Sequence, residues 1–215
     1  MGLLTLLLKD PIAFFLLVPL LLYSVIAHEV AHGWIASLFG DDTAKRSGRL
    51  SLNPLLHLDP MGTLALFLIG FGWAKPVPVD YRNLGNSRRA IIAVSLAGCV
   101  TNILIATIAL FLLHFYTFRT NHFFAPALLI TARINIILGC LNLIPVPPLD
   151  GSRVLMEFLP DNAKYKLARL ERYGFFIIII LLWMGILNPV IAFVQSLIIG
   201  LIGILFSVVK QSIKG

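Results

Sequence analysis

Apolar residues run along this chain in long blocks, with polar residues gathered in the intervals; neither the alternation of a half-buried strand nor the narrow stripe of a surface helix dominates. Five blocks read as membrane-crossing helices, which need about 20 residues, the block from Tyr173 to Leu187 being short for one. They run from Pro11 to Phe39, Ala90 to Phe115, Phe123 to Ile144, Tyr173 to Leu187 and Pro189 to Val209. The third stops at Pro145-Val146-Pro147-Pro148, where missing amide donors and ring clashes end a helix. Asn188-Pro189 makes a tight turn between the last two. A sixth block, Met61 to Val79, is broken by Gly62, Gly70 and Gly72 and ends in Lys75-Pro76-Val77-Pro78-Val79, so it reads as a re-entrant or β-like hairpin. The expected fold is an all-α polytopic membrane protein of about five to six transmembrane helices with that hairpin after the first. The whole of 1–215 is expected to be one membrane-embedded domain, with a core over about 11–160 and a C-terminal helix pair over about 173–209.

Composition agrees: 59% of residues are hydrophobic and 13% charged, with a mean hydropathy of +0.93. A soluble domain has about 45–50% apolar and about 25% charged residues, so a soluble enzyme is excluded. The formal charge of +7 comes from 17 basic and 10 acidic residues. Basic residues cluster between apolar blocks, as in membrane-flanking loops, and this argues against nucleic acid as a partner. If Met61 to Val79 returns to its own side, the basic residues from Lys45 to Arg89 share a face with those from Arg153 to Lys214, while the other face keeps Lys9 and Arg119. The positive-inside rule then gives a multi-pass protein of the cell membrane, with an external N-terminus and a cytoplasmic C-terminus. Met1 to Asp10 lacks the charge-first order and small-residue cleavage site of a signal peptide and reads as mature protein. Cys99 and Cys140 both lie in apolar blocks, so a metal here must be held by His, Asp or Glu.

The first block contains His28-Glu29-Val30-Ala31-His32. Histidines four apart share one helical face and can ligate one zinc ion, with Glu29 beside them to take a proton from the attacking water. A purely interfacial set of polar residues is the alternative, but ionisable groups within a span cost about 2.5–3.5 kcal/mol on insertion scales and usually mark function. Catalytic zinc generally keeps three protein ligands. Asp150 is one candidate for the third, following the proline run at the end of an apolar helix; as an N-cap of the next segment it has an equally good structural reading. His57 and Asp59 are the rival pair, in a proline-flanked loop where solvated side chains are the default. Asn102, Asn135 and Asn142 read first as hydrogen-bonding glue between helices. Asn142, eight residues before Asp150, has a second reading as a donor to the oxyanion of a scissile carbonyl. Arg133 either snorkels to a boundary or pairs with an intramembrane acid.

Together these residues resemble the site-2 protease family of intramembrane zinc metalloproteases. Beyond the HExxH pattern, the resemblance rests on Gly48-Arg49-Leu50-Ser51-Leu52-Asn53-Pro54-Leu55 through His57, Asp59-Pro60 and Gly62, on Gly72-Trp73-Ala74-Lys75-Pro76-Val77-Pro78-Val79, and on Asn142 through Gly151. It covers roughly residues 20 to 160 and points to the compact bacterial and archaeal branch without a PDZ domain. The resemblance implies one zinc per chain held by His28, His32 and Asp150, with Glu29 as general base and acid and Asn142 holding the scissile peptide. It also implies a transmembrane protein as substrate, the lipid bilayer as environment, and a Trp73 to Val79 segment that pairs with an unwound substrate. Departures are Gly98-Cys99, where the family commonly has Gly-Pro, and Gly151-Ser152, where it commonly has two glycines. The alternative functions are a catalytically idle membrane scaffold or binding protein and a zinc- or proton-linked transporter; no repeated halves with paired broken helices support transport. Substrate, regulation and oligomeric state are not legible.

Overall fold

The computed structural model describes residues 3–69, 72–85, 87–115 and 124–214. Gly70, Arg119 and Phe123 lie outside the described residues. Among those described, the structure is helical with one isolated antiparallel bridge and no strand. The chain divides into two compact units, Met1–Thr101 and Asn102–Gly215.

In the first unit a short helix α1 (Leu3–Lys9) leads into the long helix α2 (Pro11–Leu38). Asp10 caps α2 by accepting from the Ala13 amide at 3.0 Å, and Pro11 at the first helical position gives up no donor that the helix would use. There follow α3 (Thr43–Arg46), a 3-10 turn at Pro54–Leu56 started by Asn53, and α4 (Pro60–Ile69). Residues 75–79 are non-helical, held early on by the Leu58 to Ala74 bridge and by the Lys75 amide donating to His57 O at 2.8 Å. A further 3-10 turn, Tyr81–Leu84, precedes α5 (Arg88–Phe115). Ala36, Leu84, Ala90 and Val94 form the buried cluster that seats the end of α2 on the start of α5.

In the block from Met61 to Val79 the ten-residue helix α4 ends at Ile69, and residues 72–79 are non-helical. At 1.5 Å per residue such a helix is about 15 Å long, half the thickness of a hydrocarbon core.

The second unit holds the rest of α5 together with α6 (Phe124–Asn142), α7 (Asp150–Met156), α8 (Asp161–Leu170), α9 (Gly174–Trp183) and α10 (Asn188–Lys214). Its core gathers Ala106 of α5, Ile136 and Cys140 of α6, and Ile198 and Ile202 of α10. Cys140 here and Cys99 in the first unit are both buried, and neither forms a disulfide.

Four helices among the described residues are long and apolar enough to cross a membrane: α2, α5, α6 and α10. The block from Tyr173 to Leu187, expected as a fifth, forms only the ten-residue α9. Gly185 stops it. This glycine takes φ 72°, its amide donates to Leu182 O at 3.0 Å, and the Ile186 amide donates to Leu181 O at 3.0 Å. That hydrogen-bond pair is a Schellman motif, and its left-handed residue is one that glycine adopts without strain. Hydropathy is blind to such a stop because every flanking residue is apolar.

Candidate metal centre

On α2, Ser24, His28, His32 and Ala36 recur every fourth position and are all buried, forming one stripe of small and polar groups. This stripe lies against α5. His32 Nδ1 is 2.7 Å from Val94 O; a carbonyl only accepts, so Nδ1 carries the proton and Nε2 presents its lone pair. One helical turn along α5, Gly98 underlies the His28 ring, where a Cβ would come 2.4 Å from Cε1 and 2.5 Å from Nε2.

The two Nε2 atoms face each other at 3.1 Å, with ring centroids 4.7 Å apart and planes at 80°. A proton or a cation belongs between nitrogens this close. Two imidazoles at about 2.05 Å on one tetrahedral zinc would hold their nitrogens about 3.3 Å apart, so the pair already has the spacing of zinc ligands. The Val94 carbonyl behind His32 is the outer partner that a ligating histidine normally has.

Glu29 is half-buried, and its Oε2 accepts from the Val77 amide at 3.1 Å. The segment from Trp73 to Val79, expected near the site, thus meets the acid of the motif at Val77. Arg49, which in the sequence stands only as part of the Gly48 to Leu55 stretch and of the basic loop, is buried and donates from Nη2 to Lys75 O at 2.8 Å and Pro76 O at 3.2 Å. At the far end of the segment, fully buried Asp41 accepts from the Asp80 amide and from Asn83 Nδ2, each at 2.8 Å, and from the amide and hydroxyl of Thr43. Burial pushes the Asp41 carboxyl up, and these hydrogen bonds outweigh it, leaving the group below its ordinary value.

His57 and Asp59 have local structural partners. His57 is fully buried with Nε2 2.7 Å from Ser51 O, and Asp59 accepts from the Gly62 amide at 2.7 Å.

In the second unit α6 ends at Asn142, whose Nδ2 donates to Leu138 O at 3.0 Å. Residues 143–149 turn irregularly before α7, whose N-cap position is Leu149, so Asp150 is the first helical residue rather than the cap. A carboxylate there is favoured by the helix dipole. A Cβ at Gly151 would approach Leu143 O to 2.2 Å, so glycine lets α7 begin hard against the end of α6. Ser152, in place of a second glycine, turns its hydroxyl onto Leu149 O at 2.7 Å. The Gly98-Cys99 departure leaves α5 unbroken. Asn102 and Asn135 are fully buried, and Asn135 Nδ2 donates to Thr131 O at 2.8 Å; Arg133 is exposed on α6.

Long apolar helices, one of them carrying two facing imidazoles with a glutamate between them in sequence, fit the class of membrane metallopeptidases. The chain belongs to peptidase family M50, whose family model matches residues 120–185. YwhC of Bacillus subtilis, which bears the name of a zinc metalloprotease, is 42% identical over 172 residues, 77% of this chain and 78% of that protein. Rip2 of Mycolicibacterium smegmatis, similarly named, is 30% identical over 172 residues, 78% of this chain and 66% of its own length. A zinc metalloprotease of Methanocaldococcus jannaschii is 25% identical over 146 residues, 68% of this chain and 35% of that protein. No solved structure matches.

Proposed function

We propose that this protein is a zinc endopeptidase of the cell membrane that hydrolyses peptide bonds in or near transmembrane segments of other membrane proteins. The observation that carries the reading is the facing pair of Nε2 atoms on His28 and His32, 3.1 Å apart, with Glu29 beside them. Asp150 is the third ligand in this proposal. In its support, His28, His32 and Asp150 supply two imidazoles and one carboxylate, a donor set that could hold one ion. Family membership and the zinc metalloprotease names of the relatives point the same way.

Zinc, when bound, supplies a Lewis acid and brings the pKa of a coordinated water towards about 7. The chain's own groups do the rest. Glu29 accepts the water's proton and returns it to the leaving amine. His32 is held in one tautomer by Val94 O. Asn142 lies close in sequence to Asp150 and has a second amide hydrogen beyond the one given to Leu138 O, which it offers to the carbonyl under attack. The segment over 73–79 receives the unwound substrate. Its Lys75 and Val77 amides and its Lys75 and Pro76 oxygens already have partners within the protein and Pro76 and Pro78 have no amide, so a substrate strand pairs through the groups that remain. Met61 to Val79 re-enters rather than spans, and the crowded basic loops place the C-terminus in the cytoplasm, with cleavage towards that leaflet. The whole chain acts as one membrane-embedded domain.

The test needs no known substrate. Wild type, His28→Ala, Asp150→Ala and His57→Ala are purified in detergent and zinc per chain is measured. About one zinc in wild type and in His57→Ala, with loss in the other two, supports the ligand set. Wild type that binds none when zinc is supplied, or Asp150→Ala that binds normally, overturns it and favours a scaffold or transporter.

A further inference from the structure

We propose that Arg49 is a positioning residue for Glu29, acting through the peptide plane that joins Pro76 to Val77; the proposal rests on Glu29 being the proton acceptor. Arg49 Nη2 donates to Lys75 O at 2.8 Å and to Pro76 O at 3.2 Å, while the Val77 amide donates to Glu29 Oε2 at 3.1 Å. Pro76 O and Val77 N–H belong to the same peptide unit. Because that unit is planar and trans, its oxygen and hydrogen point in opposite directions, so a cation on one edge and an anion on the other are held in line. The contact to Lys75 O fixes the preceding plane as well, and the proline ring between the two planes locks φ near about −65°.

Position and burial favour a role beyond packing. Arg49 is buried, so its charge is poorly screened. A cationic donor on the oxygen polarises the peptide and strengthens the hydrogen bond that its N–H makes on the far side. A guanidinium in direct contact with Glu29 would hold the carboxylate as its ion-pair partner. With a peptide plane between them, the same charge aims the carboxylate while leaving its other oxygen for water. Lysine does not hold this arrangement in place: its donors sit on a shorter, freely rotating stem, whereas the rigid planar guanidinium keeps Nη2 between the two successive carbonyls.

The experiment compares zinc-loaded wild type with Arg49→Lys and Arg49→Gln in the same detergent. Three quantities are read: zinc per chain, deuterium uptake of the backbone over 75–79, and kcat and KM on a synthetic apolar peptide carrying a donor and quencher. The expected result is full zinc in Arg49→Lys, exchange of the Val77 amide about tenfold faster, and kcat about tenfold lower with KM within about twofold, part of what a positioned base supplies. Full zinc with unchanged exchange overturns the proposal, and so does a raised KM at unchanged kcat. The exchange comparison decides the matter even if the peptide is not cut. If Arg49→Lys fails to fold, Arg49→Gln is read by the same criteria; loss of zinc in both variants overturns the proposal in favour of a purely structural arginine. Failure of the metal site itself looks different, because wild type would then hold no zinc.

Discussion

A Cβ on Gly98 would lie 2.4 Å from Cε1 of His28 and 2.6 Å from its Nδ1, so the absence of a side chain at one residue of α5 gives the first imidazole of α2 its place. Gly98→Ala must displace the ring or separate the helices. Overpacking a site of this kind costs about 1–3 kcal/mol. The expected outcome is zinc content well below that of wild type, together with a lower melting temperature. Normal zinc binding by a fully stable Gly98→Ala would show that His28 has another place to go.

Asp41 gives stability a defined pH dependence. Its carboxyl is lowered in the folded protein, so its contribution is fully present above the unfolded value near about 3.9 and is lost as pH falls through the lower folded value. Asp41→Asn leaves an amide that can serve only some of the donors from Thr43, Asp80 and Asn83. A cost of about 1–3 kcal/mol is expected near neutral pH. Melting curves in detergent at pH 7, 5 and 3 should show the gap between wild type and variant narrowing at the acidic end. A gap that widens with acid would contradict the hydrogen-bonded carboxylate.

The HExxH face was legible because a four-residue spacing on a helix fixes which side chains meet, without knowledge of the rest of the fold. Helices α2, α5, α6 and α10 were legible for a similar reason, since apolar length alone sets their scale. Arg49 and Gly98 were not. Their partners are 26 and 70 positions away in the chain, Lys75 on one side and His28 on the other. A basic residue in a loop and a glycine in a span have ordinary explanations until those contacts exist. The expected span from Tyr173 to Leu187 failed for a local reason, the left-handed Gly185, which a hydropathy profile counts as one more apolar residue.

A transmembrane substrate of the proposed kind has its carbonyls already hydrogen-bonded within its helix, so the proposal calls for local unwinding before cleavage. A glycine in place of alanine costs a helix about 1 kcal/mol, which is roughly a fivefold gain in the unwound population. Glycine placed within one turn of a mapped cleavage site should raise the rate by about that factor, and proline by more unless it occupies the scissile position. Rates indifferent to both would mean that unwinding is not part of the barrier.

His57 separates the two ligand sets that the sequence offered. Its ring is fully buried, Nε2 donates to Ser51 O at 2.7 Å, and Nδ1 has no hydrogen-bond partner among the described residues. Its main-chain oxygen accepts from the Lys75 amide at 2.8 Å, so the ring anchors the loop on which the extended segment rests. His57→Ala removes a buried ring and one hydrogen bond, and a loss of about 2–4 kcal/mol is expected from the cavity and the stranded carbonyl. Thermal unfolding should therefore move down by several degrees while zinc stays near one per chain. A His57→Ala protein that melts like wild type but has lost its zinc would make His57 a ligand and remove Asp150 from the proposed set.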